Sequence, residues 1–490
     1  MQKTKRRIEF GDFQTPLHLA MEVCTVLKGS GVLPQSIIEP TCGTGNFLCS
    51  ALNQFPSIKK GFALDVNAEY ISTLKERING YHSKDEIEIK LCDFFAFNWD
   101  KLIAHLPEPI LVIGNPPWVT NAQVSLIKGT NLPPKSNFRN LKGFDALTGK
   151  SNFDISEWML IRTINALNGH KGTIAMLCKS SVARKVLLYA WENNLSLAWS
   201  RMYEINAKDN FDVSVGACLL VIGFEKNMCS KDCEVFTSLD SGVATEKIIG
   251  FREGKLFADV NLYSKWKRLF TNSKTAYRWR TGIKHDCSQV MELYRLGNNF
   301  YQNGFGITIE LEDEYIYPIL KSSDLFHAKG VSKWVIVTQR NVGTDTSQIK
   351  YRAPKTWKYL LEYGELLDKR TSSIYKNRPR FSMFGIGDYS FSPWKVAVSG
   401  FYKKPRFQVV GTYMEKPILL DDTSNFLSAS TIEEVEVLAS ILNSDEVKEF
   451  FSALIFWDMK RPVTVELLKQ LDIRKLLKDR DQQIKAAAFA

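Results

Sequence analysis

The sequence predicts an α/β protein: a Rossmann-like, doubly wound, mostly parallel sheet, followed by a second region of mixed α+β structure. Three observations predict it. Between residues 35 and 225, short β-rich runs alternate with longer helical patterns. A glycine-rich turn, TCGTG, follows the first of those runs. At 490 residues the chain is also too long for one core, so two or three domains are expected.

Taken in order, the β-rich runs are SIIEP, GFALDV, EIKLCDF, ILVIGNPPW, GTIAMLC and GACLLVIGF. Amphipathic stretches such as NAEYISTLKERI and ISEWMLIRTINAL separate them. Strands spaced by helices form parallel sheets, because each crossover needs a helix to return the chain. GACLLVIGF follows another short strand pattern, SLAWSRMYE, and is expected to pair with it antiparallel. From about residue 230 the pattern loosens into polar loops and short strands. TIEEVEVLASILNSDEVKEFFSALI then carries apolar residues at 3–4 spacing and predicts a helical pair. The expected domains are residues 1–235 and 236–490.

The composition, 44% hydrophobic and 24% charged, is that of an ordinary globular protein. The basic N-terminus MQKTKRRIEFGDF has no apolar region after it, which argues against a signal peptide. No apolar run approaches the ~20 residues that span a bilayer, so a cytoplasmic protein is expected. Nine scattered cysteines are not a disulfide framework. Cys229 and Cys233 form an isolated C-x3-C without a second pair, so no metal site is expected. Cys42 and Cys92 are expected to be small buried thiols.

The net charge of +11 is unevenly spread. Residues 1–250 carry 27 basic and 25 acidic side chains, residues 251–410 carry 27 and 14, and residues 411–490 carry 10 and 14. The basic segment interleaves Lys and Arg with aromatics, as in YSKWKRLF, SSIYKNRPRFSMF and FYKKPRF. That pattern suits a phosphate backbone and exposed bases, so a polyanionic partner is expected.

In an open α/β sheet, ligands sit at the carboxyl ends of the strands. Four such ends carry unusual residues. In IIEPTCGTGNFL, Gly43 and Gly45 permit a tight turn and close backbone approach. The turn is neither GxGxxG nor a P-loop, and Glu39 beside it would repel a phosphate but suit a cation or hydroxyl. Asp65 ends the second run, where a carboxylate can take both hydroxyls of a ribose. Asp93 can accept from an exocyclic amine, and Phe94 can lie on an adenine ring. Singly, a strand-end Asp is more often a helix N-cap. Together these strand ends describe a pocket for an adenosine that carries a positive charge and no phosphate, a description that S-adenosylmethionine fits.

The fourth end is NPPW, residues 115–118. An aromatic amine is a poor nucleophile because its lone pair is delocalised into the ring. Acceptors that hold its protons turn the nitrogen toward sp3 geometry. The Asn115 side-chain oxygen and the Pro116 carbonyl supply two acceptors. Pro116 and Pro117 remove competing donors and fix the backbone. Trp118 offers a face for a stacked base, and a paired base must be flipped out of its duplex to reach it.

These residues resemble the class I S-adenosylmethionine-dependent DNA methyltransferases that act on the adenine N6 amine, most closely their gamma (TaqI-like) group. The resemblance covers residues 10–225 by motif and the rest by layout. It implies that GDFQTP, with Thr15 and Pro16, closes over the cofactor. It implies that Glu39, Pro40, Gly43, Gly45, Asp65, Asp93, Phe94 and Asn115 contact the cofactor. NPPW is then the catalytic motif, where Tyr or Phe is commoner than Trp. NFDVSVGACLLVI resembles the motif whose aromatic holds the flipped base from the other side, a role that falls to Phe211. SNFDISEWML, with Asn152 and Asp154, resembles a segment beside the cofactor. By layout, residues 236–490 are a DNA target recognition domain with C-terminal helices. Arg378, Arg380, Lys403, Lys404 and Arg406 are its candidate contacts, mostly to phosphates.

The resemblance implies direct in-line methyl transfer to N6 in double-stranded DNA, without a general base, in a restriction–modification system. The first motif lies near residue 11, so a cognate endonuclease is expected as a separate chain. Two alternatives share these residues: an RNA base-amine methyltransferase and a catalytically silent nucleic-acid binding subunit.

Overall fold

The computed structural model describes residues 14–81, 86–119, 154–240, 245–271 and 277–488, with side chains to 480. The chain divides into two units, Met1–Asn261 and Leu262–Ala490.

The first unit is built in chain order from α1 (Leu17–Gly29), β1 (Ser36–Glu39), α2 (Asn46–Gln54), β2 (Lys60–Asp65), α3 (Ala68–Ile78), β3 (Ile87–Leu91), α4 (Trp99–Ile103) and β4 (Ile110–Gly114). Then follow α5 (Ile155–Leu167), β5 (Gly172–Lys179), α6 (Ser180–Glu192), β6 (Leu197–Ile205), α7 (Ala207–Phe211) and β7 (Ala217–Phe224). Three more strands close the unit: β8 (Asp232–Phe236), β9 (Lys247–Arg252) and β10 (Lys255–Phe257). They form one ten-stranded sheet, ordered β10-β9-β8-β6-β7-β5-β4-β1-β2-β3.

β3, β2, β1, β4 and β5 are parallel, and β7 lies antiparallel between β5 and β6. The doubly wound sheet and the antiparallel β6–β7 pair are therefore as the sequence predicts. β1, β4 and β7 are buried along their whole length, which is why they read as unbroken apolar runs. A buried cluster joins α1, α2 and α3 to the inner strands and includes Trp118 and Phe211.

The expected boundary at 235/236 falls inside β8. The sheet continues through β9 and β10, whose half-buried residues resemble loop sequence. Cys42 is buried as expected, and burial pushes its thiol pKa up. Cys92 is only half-buried, because it lies just beyond β3. Cys229 is exposed and Cys233 buried, so the two thiols do not share an environment.

The second unit holds a six-stranded sheet ordered 308–310, 300–302, 292–295, 333–336, 316–320, 419–420. It also holds a four-stranded sheet ordered 280–281, 424–429, 394–399, 408–410. The predicted helical pair is Ile432–Leu442, capped by Thr431, and Asp445–Ser452, capped by Ser444. In the first sheet, buried Glu292 takes Lys321 at 2.6 Å and Lys333 at 2.8 Å. In the second, Lys395 is wholly buried, and its Nζ donates to the Ser392 carbonyl at 2.6 Å. Burial lowers its pKa to about 7. Among the described residues no helix is long and apolar enough to cross a membrane.

Candidate active site

The strand ends singled out in the sequence lie on one edge of the sheet. Glu39 pairs in register with Ala63, Asp65 with Leu91, and Val112 with Ile38. The ends of β3, β2, β1 and β4 are therefore neighbours, spanning about 14 Å across three inter-strand spacings.

The glycine turn at the end of β1 is shaped by close approaches. Gly43 has φ +49 and Gly45 φ +81, both in the left-handed region. A Cβ on Gly45 would lie 2.2 Å from Leu74 Cδ1, so only glycine fits between α2 and α3. The Gly43 N–H donates to Asp65 Oδ2 at 2.9 Å, and Asp65 Oδ1 accepts the Asn67 N–H at 2.9 Å. Asp65 thus ties the turn to the end of β2. Glu39 is buried, and its Oε2 accepts the Leu48 N–H at 2.9 Å in the first turn of α2. Burial pushes its carboxyl pKa well above the usual carboxylate range. A cation placed beside it would relieve that desolvation.

The segment before α1 lies against this turn. The Thr15 carbonyl accepts from Asn46 Nδ2 at 2.7 Å, and Thr15 is buried. Pro16 precedes the first residue of α1. Arg77 reaches from α3 to donate to the Thr44 carbonyl and to Asn46 Oδ1. Thr41 Oγ1 is buried without a hydrogen-bond partner among the described residues. A Cβ on Gly114, just before Asn115, would lie 3.7 Å from Pro40 and 3.8 Å from that hydroxyl. An orphaned hydroxyl, left-handed glycines and two strand-end carboxylates fit a polar, cationic cofactor rather than a phosphate.

Asp93 Oδ1 accepts the Phe95 N–H at 2.9 Å, closing a turn after β3. Phe94 is only 3% exposed and packs on Trp99 with ring centroids 4.9 Å apart. Its neighbour Phe95 stacks on Trp158 at 4.6 Å. The structure therefore puts Phe94 in an aromatic cluster rather than leaving its face open.

Beyond β4, Asn115 is half-buried with its Oδ1 fully enclosed, and Pro116 is buried. Trp118 donates from Nε1 to the Leu177 carbonyl at 3.3 Å. Its ring meets Phe211 edge to face, with centroids 5.1 Å apart at 67°. The two aromatics named from sequence come together across 93 residues of chain. A planar base between them needs about 7 Å, two van der Waals layers, so one ring must turn to admit it. Phe211 ends the five-residue α7, beside Asp212 at φ +57.

Lys179, at the end of β5, was not singled out in the sequence. Its Nζ donates to the Trp118 carbonyl at 2.9 Å and pairs with Asp154 at 2.6 Å. Asp154, buried, also caps α5 through Ser156. The signal for Lys179 was a lysine closing a buried run, GTIAMLCK. Asn152 lies outside the described residues.

In the second unit, Arg378, Lys403, Lys404 and Arg406 are exposed. Arg380 is engaged by both oxygens of Asp368, at 3.2 and 2.8 Å. No cluster of metal-ligating side chains occurs among the described residues.

No family model matches the chain. The Type IIL restriction-modification enzyme MmeI, solved in complex with DNA, superposes with a TM-score of 0.55 at 12% identity, over 96% of this chain and 68% of that one. The fold is shared at that level. The type IIG restriction endonuclease BpuSI gives a TM-score of 0.38 at 14% identity, over 94% of this chain and 58% of its own. The Type II methyltransferase M.NspV of Nostoc sp. is 44% identical over 476 residues, 97% of this chain and 98% of that protein. Identity of that extent, over a sheet edge carrying a methyltransferase-like motif, shows that this chain belongs to the Type II methyltransferases.

Proposed function

We propose that the chain is a site-specific DNA methyltransferase of the gamma group. Its reaction moves the methyl of S-adenosylmethionine to the N6 amine of an adenine flipped out of duplex DNA. Its role is the modification component of a restriction–modification system, with a separate endonuclease chain. The observation that carries this reading is the NPPW segment: it leaves β4 beside the glycine turn, and its Trp118 meets Phe211.

When bound, the cofactor supplies an electrophilic methyl on a sulfonium. Asp65, Asp93 and the glycine turn orient it along the strand ends. Asn115 Oδ1 and the Pro116 carbonyl accept the two amine protons, which redirects the nitrogen lone pair out of the ring. Lys179 occupies the carbonyl two residues on, that of Trp118, and so holds the backbone that presents Pro116. Trp118 and Phe211 grip the base once they part. Positioning carries most of the rate, and the proton leaves to water, since an amide cannot take it. Arg378, Lys403, Lys404 and Arg406 serve as phosphate contacts.

The test is expression in a host lacking adenine methylation, with genomic DNA read by single-molecule sequencing. N6-methyladenine at one short motif, absent with Asn115→Ala, is expected. Unmodified DNA from a protein that binds S-adenosylmethionine sinks the DNA reading and favours RNA.

A further inference from the structure

The second unit carries a groove lined by none of the candidate-site residues above. Two adjoining clefts, of about 600 and 440 Å³, share Arg280 and Tyr389 as walls. The larger is lined by Arg278, Arg280, Arg474 and Lys478, against one acid, Glu434.

Two pairs of like charges converge there. Arg280 opens the two-residue strand 280–281 and Arg278 lies two residues before it, and both line the larger cleft. Arg474 and Lys478 are four apart on the helix Ile473–Ala488, where like charges repel. None of these four cations has an ion pair among the described residues. Three other arginines of the unit are neutralised: Arg340 by Asp388 at 3.0 Å, Arg380 by Asp368 at 2.8 Å and Arg295 by Asp313 at 3.4 Å. Arg280 lies on the Tyr389 ring, 4.5 Å from its centroid, which fixes the guanidinium at the shared wall. Arg278, Arg474 and Lys478 are exposed and face solvent from that floor.

Four cations without an ion pair among the described residues, lining one cleft with a single acid, suit an extended polyanion. We infer that the groove seats the phosphate backbone of duplex DNA. The inference rests on the DNA reading above. It assigns sequence-independent grip to Arg278, Arg474 and Lys478, with Arg280 as the stacked wall. The C-terminal residues 411–490 carry an acidic excess overall, yet contribute two of the four cations.

The experiment is fluorescence anisotropy of full-length protein with a duplex of unrelated sequence, titrated between about 50 and 200 mM salt. The slope of log affinity against log salt is expected to fall by about 2 to 3 in Arg278→Gln/Arg474→Gln/Lys478→Gln. The charge-keeping Arg278→Lys/Arg474→Lys/Lys478→Arg is expected to restore it, which separates charge from folding. Arg340→Gln, whose arginine is already paired, is expected to keep the wild-type slope. Duplex binding with an unchanged slope in the triple Gln variant overturns the groove and leaves the DNA reading standing. An equal loss in Arg340→Gln overturns it too. A wild-type protein that does not bind duplex overturns both.

Discussion

In the first unit, the residues of the candidate active site are held by hydrogen bonds and steric limits. In the second, four cations line one cleft without an ion pair among the described residues. The glycine turn is pinned by Asp65, by Arg77 and by the space Leu74 leaves. The groove cations touch no acid among the described residues. The contrast separates two tasks. A small ligand and a reacting atom need fixed geometry. A polyanion needs charge density and tolerates loose geometry.

The contrast is broken most strongly at Asn115. On the proposed reading, Asn115→Ala removes an acceptor that works as the reaction proceeds, so methyl transfer is expected to fall by about 10³-fold. Cofactor affinity, read by calorimetry, falls far less. Next is Gly45→Ala. A left-handed alanine and a Cβ 2.2 Å from Leu74 together destabilise by about 3 kcal/mol. The urea midpoint drops and cofactor affinity drops with it, which tests whether the turn is rigid by necessity.

Lys395→Met runs the other way. Its folded-state pKa is depressed to about 7, so wild-type stability climbs as pH rises from 7 toward the unfolded lysine value and is flat below. The methionine removes that penalty and loses the bond to the Ser392 carbonyl. It is expected to stabilise the protein by on the order of 3 kcal/mol below pH 7, with the gain vanishing near pH 10. Chemical denaturation across that range reads it, and a pH-independent difference refutes it. The smallest effect is Arg380→Gln. The pair with Asp368 is half exposed, so the urea midpoint shifts by under about 1 kcal/mol.

Much of the first unit was legible because each strand end is punctuated. An apolar run stops at Glu39, Asp65, Asp93 or Asn115, and the register then brings those stops together. Lys179 was missed because its partner, the Trp118 carbonyl, lies 61 residues away and leaves no local pattern. Phe94 was expected on an adenine ring, but DFFAFNW offers three phenylalanines, and only packing decides which faces inward. The first unit runs past the expected boundary because half-buried strands such as β8 carry little apolar signal. The groove was invisible for a plainer reason. Its walls come from residues 277–280, 389, 428–434 and 474–478, and the last two segments belong to the acidic end of the chain.

The edge-to-face contact between Trp118 and Phe211 has a bearing on what the resting protein ignores. Each ring is the other's lid, so a loose nucleobase must first displace a contact of about 1 kcal/mol. A free base drifting past has little to offer in return. A base presented by a duplex already gripped elsewhere arrives with that binding behind it. On the proposed reading, the aromatic pair works as a filter on delivery, admitting a base by how it comes rather than by its shape alone.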